Sequence, residues 1–156
     1  MKALLLKTII PLFLALCVLP GCARHGDEEE IRGLIRLSVE ASEGKDLASL
    51  MKAVSKDYRD GHGNDYNGVK GVLLFQFMRP GNIKVYIRHV EVKVEGTTAI
   101  CEVRAALLRG QDFKELKDIV PQDADVLRFN IIFKRERDGW KAVSAEWARA
   151  GLQGLL

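Results

Sequence analysis

A change of hydrophobic period at Arg79–Pro80–Gly81 constrains the fold more than any other feature of this sequence. Before this point apolar residues recur at every third or fourth position, which is the period of an amphipathic helix. After it they alternate with a period of two, which is typical of strands with one buried face. The sequence therefore predicts helices first and strands afterwards, the order of an α+β domain.

Three helices are expected before the break. The first begins with the acidic run Asp27–Glu30, where the helix dipole favours negative charge, and Gly44 closes it. Asp46 is a candidate N-cap for the second helix, and Asp65 or Asn67 for a third helix that ends at Arg79. The apolar stripes of the first two helices are Ile31, Leu34, Ile35 and Val39, then Leu47, Leu50, Met51 and Val54.

An antiparallel meander is expected after the break. In its first strand the alternation changes phase between Ile83–Ile87 and Val90–Val94, which predicts a β-bulge near Arg88–His89. Asp138–Gly139 is a hairpin signal before the last strand, and residues 110–124 form a long connection with one short helix. The predicted architecture is three helices packed on a strongly bent antiparallel sheet that forms a cone.

Side-chain alternation in the strands predicts which residues face the core. Trp147 is expected in the core, and Trp140, on the opposite parity after the turn, is expected to be partly exposed. Cys101 alternates with polar residues and is interpreted as a small buried hydrophobe. The outer face is expected to carry charges that pair across strands, namely Glu102, Arg104, Arg128, Lys134 and Glu146.

The N-terminus has the pattern of an export signal. Lys2 and Lys7 give a positive region, and Thr8–Val18 is an uncharged apolar run that is too short to span a bilayer. The segment Leu19–Cys22 that follows resembles a bacterial lipobox. This resemblance implies that Cys22 carries a diacylglycerol and becomes the mature N-terminus. Ala23 in the next position implies sorting to the outer membrane rather than retention.

These features divide the chain into a signal peptide (1–21), a polar tether (22–27), one domain (28–150) and a short tail (151–156). The whole sequence has 24 Lys and Arg against 21 Asp and Glu. Without Lys2 and Lys7 the balance is 22 against 21, so nothing in the charge indicates nucleic acid as a partner. Cys101 would be the one cysteine without lipid or signal, so no intramolecular disulfide is predicted.

The order of elements resembles the nuclear transport factor 2-like superfamily, the cystatin-like α+β cone. The likeness is carried by the stripe of the first helix, the Asp57–Tyr58 exit from the second, and the run from Arg137 to Trp147. It covers about residues 28–149. The resemblance implies a pocket between the helices and the concave sheet, but no particular reaction, because one fold hosts many functions.

Two groups of residues are candidates for a site. The predicted pocket lining is apolar and consists of Ile31, Leu34, Ile35, Phe129, Ile131 and Trp147. The predicted pocket mouth is a glycine-rich loop that carries Asp57, Tyr58, Asp60, His62 and Tyr66. An acid beside a histidine there could transfer protons if burial shifted their pKa values. The alternative is a polar loop in which the acids cap backbone groups. No catalytic residue, metal ligand or cofactor is assigned.

Three functions remain open at this stage. The first is a non-enzymatic, lipid-anchored envelope protein, facing the periplasm, whose cone binds an apolar small molecule or acts as a scaffold. The second is a small enzyme of isomerase or cyclase type that uses the loop at the pocket mouth. The third is an interaction module for another envelope protein, docked on the connection 110–124.

Overall fold

The computed structural model describes residues 21–110 and 124–150. The helices are α1 (Gly21–Glu43), α2 (Leu47–Lys52) and α3 (Tyr66–Met78), and the strands are β1 (Asn82–Glu95), β2 (Thr98–Gly110), β3 (Ala124–Glu136) and β4 (Gly139–Arg149). The predicted α+β order is confirmed. Most of the predicted signal peptide, the short helix within 110–124 and the tail lie outside the described residues. No helix in the described ranges is long and apolar enough to cross a bilayer.

The helices begin where local hydrogen bonds satisfy their first N–H groups. The carboxylate of Asp46 accepts a hydrogen bond from the backbone N–H of Ser49 (3.0 Å), and Asp65 accepts one from Gly68 (2.8 Å). Asp46 is therefore the N-cap of α2, as predicted, and Asp65 rather than Asn67 is the N-cap of α3. Gly21, the first described residue, is already helical, so the residues predicted as a tether belong to α1 and the acidic run lies further along the helix.

The four strands form one antiparallel sheet in the order β1-β2-β3-β4. In β1 the register shifts between Ile87 and His89, which confirms the predicted bulge. The sequence pattern did not indicate a second shift, between β3 and β4. Ile132 pairs with Ser144 but the next residue, Phe133, pairs with Ala142. One residue of β4, Val143, is therefore extra, and an extra residue turns the side chains beyond it to the other face.

Because of this second bulge, the predicted positions of both tryptophans are wrong. Counted by simple alternation, Trp140 and Trp147 lie on opposite faces of β4. Because Val143 is inserted between them, both belong to the concave face, which packs against α1. Trp140 is 1% exposed and lies in the core, contrary to the prediction of partial exposure. Trp147, which was expected in the core, is only half-buried and is not part of the core cluster.

A cluster of polar contacts ties α1 to the β3–β4 hairpin. The guanidinium of Arg135 makes ion pairs with Asp27 and Glu30 and lies 5.5 Å from the Trp140 ring. The indole N–H of Trp140 donates to Asp27 Oδ1 at 3.3 Å. Gly139 has a φ of 116°, and a Cβ there would lie 3.0 Å from a carboxylate oxygen of Glu30. A glycine is needed at this turn both for its backbone angle and for space.

The outer face of the sheet carries charged side chains, as predicted, but the observed ion pair differs in geometry. Arg104 pairs with Glu102 at 2.8 Å, two residues away on the same strand rather than across strands. Ile100 and Ile132 also lie on this face, opposite each other in β2 and β3, and are 54% and 41% exposed. The outer face is therefore mixed, with an apolar pair among its charges.

Candidate functional site

The predicted pocket-mouth residues other than Tyr66 lie on the segment that leaves α2 and runs along the edge of β4, and Tyr66 is the first residue of α3. Backbone hydrogen bonds join Ser55 N–H to Ala142 O (2.9 Å), Ala142 N–H to Ala53 O (2.8 Å) and Arg59 N–H to Val143 O (2.9 Å). These bonds use donors and acceptors that β4 would otherwise expose at its edge. The segment is thereby fixed against the sheet up to the point where the glycine-rich loop begins.

Asp60 organises that loop through its carboxylate. Oδ1 accepts hydrogen bonds from the backbone N–H groups of His62 and Asn64, both at 2.9 Å. Oδ2 accepts from the Asn64 amide at 2.9 Å and from the Tyr58 hydroxyl at 3.2 Å. Partial desolvation raises the pKa of Asp60, but the hydrogen bonds from Asn64, Tyr58 and His62 outweigh it, so the pKa is lowered overall.

This geometry favours the capping interpretation of the loop over proton transfer. A general base works best when its pKa lies near the working pH, and Asp60 is shifted away from that range. Tyr58 is 1% exposed, and desolvation followed by the charge of Asp60 raises the pKa of its hydroxyl well above its usual value. Both groups are therefore held in one protonation state around neutral pH, and they hold the loop in shape.

The other candidates in this segment do not converge on Asp60. Asp57 is exposed, and its backbone N–H donates to the Ser55 hydroxyl at 3.0 Å. The Tyr66 ring lies under the ammonium of Lys56, which is 3.7 Å from the ring centroid. The His62 ring packs on Trp147, with centroids 4.8 Å apart. The loop thus brings together Asp60, Tyr58 and Asn64, whereas Asp57 and Tyr66 serve separate local contacts.

Replacing Asp60 with alanine tests this assignment. We expect Asp60→Ala to lower the free energy of unfolding by about 1–3 kcal/mol, because several loop donors lose their shared acceptor. Urea unfolding at pH 7 measures this loss. The matched control is Asp57→Ala, which removes an exposed carboxylate three residues away and should change stability by less than about 0.5 kcal/mol.

The same pair of variants gives a pH test. The folded pKa of Asp60 is lower than its unfolded value, so its contribution is full above the ordinary carboxyl range and is lost as the pH falls through the folded pKa. The difference between wild type and Asp60→Ala should therefore shrink in acid. An equal effect of the two substitutions, or a difference that is constant with pH, would contradict the role of Asp60.

The concave face of the sheet shows a graded exposure from one end to the other. Residues that pair across the four strands form rows, and the rows are named here by their β2 member. The Ala99 row is buried throughout, the Cys101 and Val103 rows are buried on β2 and half-buried on β3 and β4, and the Ala105 row includes Ile87, which is 38% exposed. The closed end of the cone is the Ala99 row, next to the β1–β2 and β3–β4 hairpins. The Cys101, Val103 and Ala105 rows form what we call the open end.

The predicted pocket lining divides along this gradient. Ile31 and Ile35 are buried in the core cluster, at 0% and 7% exposure, and hold α1 on the sheet. Leu34, Phe129 and Ile131 are only partly buried and pack against that cluster at the open end. Trp147, in the same row as Phe129, is also half-buried. The first two residues are therefore structural, and the remainder border the accessible part of the cone.

The middle of the concave face is apolar on the sheet side, whereas Arg149 belongs to the Ala105 row and the Arg32 guanidinium of α1 donates to Val90 O at 3.0 Å. The Cys101 and Val103 rows contain no carboxyl, imidazole, ammonium or guanidinium group; their members are Val92, Cys101, Ile131, Ala145, Val90, Val103, Phe129 and Trp147. The Cys101 thiol is fully buried, and desolvation raises its pKa to about 11, which keeps it protonated. No buried side-chain nitrogen or oxygen in the described ranges lacks a hydrogen-bond partner. This lining suits an apolar ligand.

Solved structures share this fold. One is a protein of the nuclear transport factor 2-like family from Streptomyces avermitilis, which is named provisionally as a dehydratase. It aligns with a TM-score of 0.68 and 19% sequence identity, over 81% of this chain and 98% of its own. A protein with a cystatin-like fold from Novosphingobium aromaticivorans aligns with a TM-score of 0.65 and 20% identity, over 86% of this chain and 92% of its own. A protein of unknown function from Pseudomonas putida aligns with a TM-score of 0.66 and 15% identity, over 85% of this chain and 93% of its own.

The chain therefore has the nuclear transport factor 2-like, cystatin-like fold that its sequence pattern predicted. No protein-family model matches the sequence, and no curated protein matches it either. At these identities the similarity establishes the fold and leaves the activity to be argued from the chain's own side chains.

Proposed function

We propose that this chain is a lipid-anchored bacterial envelope protein whose cone binds an apolar small molecule at its open end without catalysing a reaction. The single observation that supports binding is the graded exposure of the concave face. Leu34 of α1 and Phe129 and Ile131 of β3 are partly buried apolar side chains that pack against the core cluster and keep part of their surface in water. Removing such surface from water favours an apolar ligand by roughly 25 cal/mol per Å².

The chemistry of the same region supports binding rather than catalysis. The provisional dehydratase name of the Streptomyces avermitilis protein suggests an enzyme of the same fold. An acid–base reaction in this chain would need a carboxyl, imidazole or ammonium group facing the ligand, and the Cys101 and Val103 rows carry none. The cation that reaches these rows is Arg32, whose guanidinium donates to Val90 O at 3.0 Å and has no acceptor atom. Among the acid–base candidates of the loop, Asp60 and Tyr58 are engaged with each other at 3.2 Å, and the His62 ring packs on Trp147 with centroids 4.8 Å apart.

The anchor follows from the N-terminal sequence. We propose that Cys22 carries the lipid and that the outer membrane is the more favoured location, with the cone facing the periplasm. Two acyl chains give stable membrane attachment where one gives only reversible attachment. A ligand-binding cone held at a membrane surface could store or present an apolar molecule that is poorly soluble in the periplasm.

A polar substitution inside the cone provides the binding test. For this test the protein is produced without the lipid anchor, as residues 23–156. This form keeps the whole core cluster, which lies between Ile31 and Ala142. It is titrated with N-phenyl-1-naphthylamine, an apolar fluorescent probe. We expect saturable binding that Phe129→Gln weakens by about tenfold or more, because the amide would be desolvated against an apolar ligand.

The matched control is Ile132→Gln, three residues along the same strand. Ile132 is 41% exposed on the outer face, so this substitution should leave probe affinity unchanged. Absence of saturable binding in the wild type would refute the proposed cone site. Equal losses in both variants would show that the probe binds elsewhere.

A further inference from the structure

A second concave region lies outside the cone, where the Asp60 loop meets β3 and β4. It has a volume of about 350 Å³, and Arg128, Asn130 and Glu146 line it together with Gly61, His62 and Trp147. We call it the loop groove. Its volume falls within the usual range of small-molecule sites, roughly 300–1,000 Å³.

The loop and the strands fix the shape of this groove. Asn130 and Glu146 are directly opposite each other in the register of β3 and β4, and Arg128 is one pair further along the same face, opposite Ala148. Gly61 lies against Glu146: a Cβ at Gly61 would be 3.2 Å from Oε1. A side chain at position 61 would therefore make a tight contact with the Glu146 carboxylate, which would have to shift by a few tenths of an ångström.

The polar side chains of the groove are available to a ligand. Arg128, Asn130 and Glu146 make no side-chain hydrogen bond or ion pair within residues 21–110 and 124–150, whereas Arg104 and Glu102 on the same face pair at 2.8 Å. The three side chains together offer guanidinium and amide donors and amide and carboxylate acceptors. They converge on one groove with their hydrogen-bonding capacity unused inside the protein.

The groove also has an apolar wall. The His62 ring packs on the half-buried Trp147 indole with centroids 4.8 Å apart, and this pair lines the groove beside the polar groups. An aromatic wall beside planar polar side chains suits a ligand with an apolar face and hydroxyl groups around its rim. Each hydroxyl both donates and accepts, so it can use donors and acceptors that lie close together.

Charge narrows the class of ligand. Arg128 is a fixed cation and Glu146 a carboxylate on the same groove, so an anion would meet Glu146 and a cation would meet Arg128. A purely apolar ligand would remove water from three polar side chains and would offer no hydrogen bonds in place of those lost. A neutral, hydroxyl-rich ligand avoids all three costs.

From this juxtaposition of Arg128, Asn130 and Glu146 with the His62–Trp147 pair, we infer that the loop groove is a binding site for a neutral saccharide. The polar residues of this site lie on the outer face of the sheet and the cone lining lies on the concave face, while Trp147 borders both. The existence of this site does not depend on whether the cone binds anything.

Calorimetric titration with two neutral tetrasaccharides tests this inference: a β-1,4-linked N-acetylglucosamine tetramer and maltotetraose. We expect saturable binding of at least one of them to the wild type. The double substitution Asn130→Ala/Glu146→Ala should weaken it by about tenfold or more, since it removes two hydrogen-bonding groups. The control Lys134→Ala, on the outer face of the same strand, should bind like the wild type.

The outcomes separate this site from the cone. Asn130 and Glu146 are exposed, so the double variant should remain folded, which thermal unfolding checks. It should also bind N-phenyl-1-naphthylamine like the wild type. If neither tetrasaccharide binds the wild type, or if the double variant binds with unchanged affinity, the saccharide site is refuted while the cone proposal is unaffected.

Discussion

Replacing Trp140 with alanine should lower the free energy of unfolding by about 3–5 kcal/mol, the range for deleting a large buried aromatic side chain. Trp140 is 1% exposed and belongs to the core cluster at the closed end of the cone. Its removal also takes away the indole N–H that donates to Asp27 and the ring face next to Arg135. A loss of this size approaches the whole stability of many domains, so urea unfolding should show a large shift in midpoint.

Trp147 is the natural control for this prediction. It is the same residue type on the same strand and the same face, but it is half-buried and borders both the open end and the loop groove. Trp147→Ala should therefore cost at most about 2 kcal/mol. If Trp147→Ala proved more destabilising than Trp140→Ala, the assignment of the closed end would be wrong, and the alternation expected from the sequence would be right.

A third variant separates packing from polar contact. Trp140→Phe keeps an aromatic ring in the core but loses the N–H that donates to Asp27 at 3.3 Å. We expect it to recover more than half of the stability lost in Trp140→Ala, because most of the loss comes from the cavity. Recovery of little or none would show that the contacts with Asp27 and Arg135 dominate.

The tryptophans also show where reading the sequence reached its limit. The change of phase within β1 could be recognised because apolar residues appear on both sides of Arg88–His89. In β4 the extra residue is Val143, itself apolar, and the residues around it are small. A phase change among alanines, serine and valine leaves no contrast between apolar and polar positions. Its detection requires knowing which β3 residue each one pairs with.

Local signals predicted the remainder of the architecture well, because they act within a few residues. The Asp46 cap, the helix end before Pro80 and the turn at Asp138–Gly139 each depend on hydrogen bonds or backbone angles near their own position. That α1 includes residues 21–26 was not predicted, since the acids from Asp27 onward resemble a first turn. In the structure Asp27 instead contacts Arg135, 108 residues away.

The candidate sites could be predicted only in part, for the same reason. The sequence indicated apolar residues on the concave face and a polar loop after α2, and the structure places these side chains there, while their role as sites stays a prediction. It could not indicate which apolar residues are covered by α1 and which stay half-exposed, because Ile31 and Leu34 belong to the same stripe. Nor could it place His62 on Trp147 or Gly61 against Glu146, since these contacts join residues about 85 positions apart.

We expect Cys22→Ser to abolish lipid attachment entirely, which is the largest change that one substitution in this chain should cause. Only a thiol can form the thioether to diacylglycerol in the lipobox that residues 19–22 resemble, and a hydroxyl in its place leaves the precursor unmodified. Buried methylenes contribute about 0.8 kcal/mol each to membrane attachment, so the loss of the acyl chains removes the main anchoring energy.

Metabolic labelling with a palmitate analogue and intact mass measurement test this expectation. Wild type should carry label and begin at Cys22, and Cys22→Ser should carry no label and retain residues 1–21. Cys17→Ser is the matched control, because Cys17 lies in the predicted signal and should be removed with it. A second control is Cys101→Ser, whose thiol is 0% exposed and cannot take a lipid in the folded domain.

The result also determines where the two proposed binding sites operate. Label that depends on Cys22 would place the cone and the loop groove at a membrane surface, where the concentration of apolar molecules and of envelope glycans is high. Label retained in Cys22→Ser, or lost in Cys17→Ser, would refute the anchor. The two sites would then have to act in a freely diffusing protein, and their ligands would have to be sought among soluble molecules.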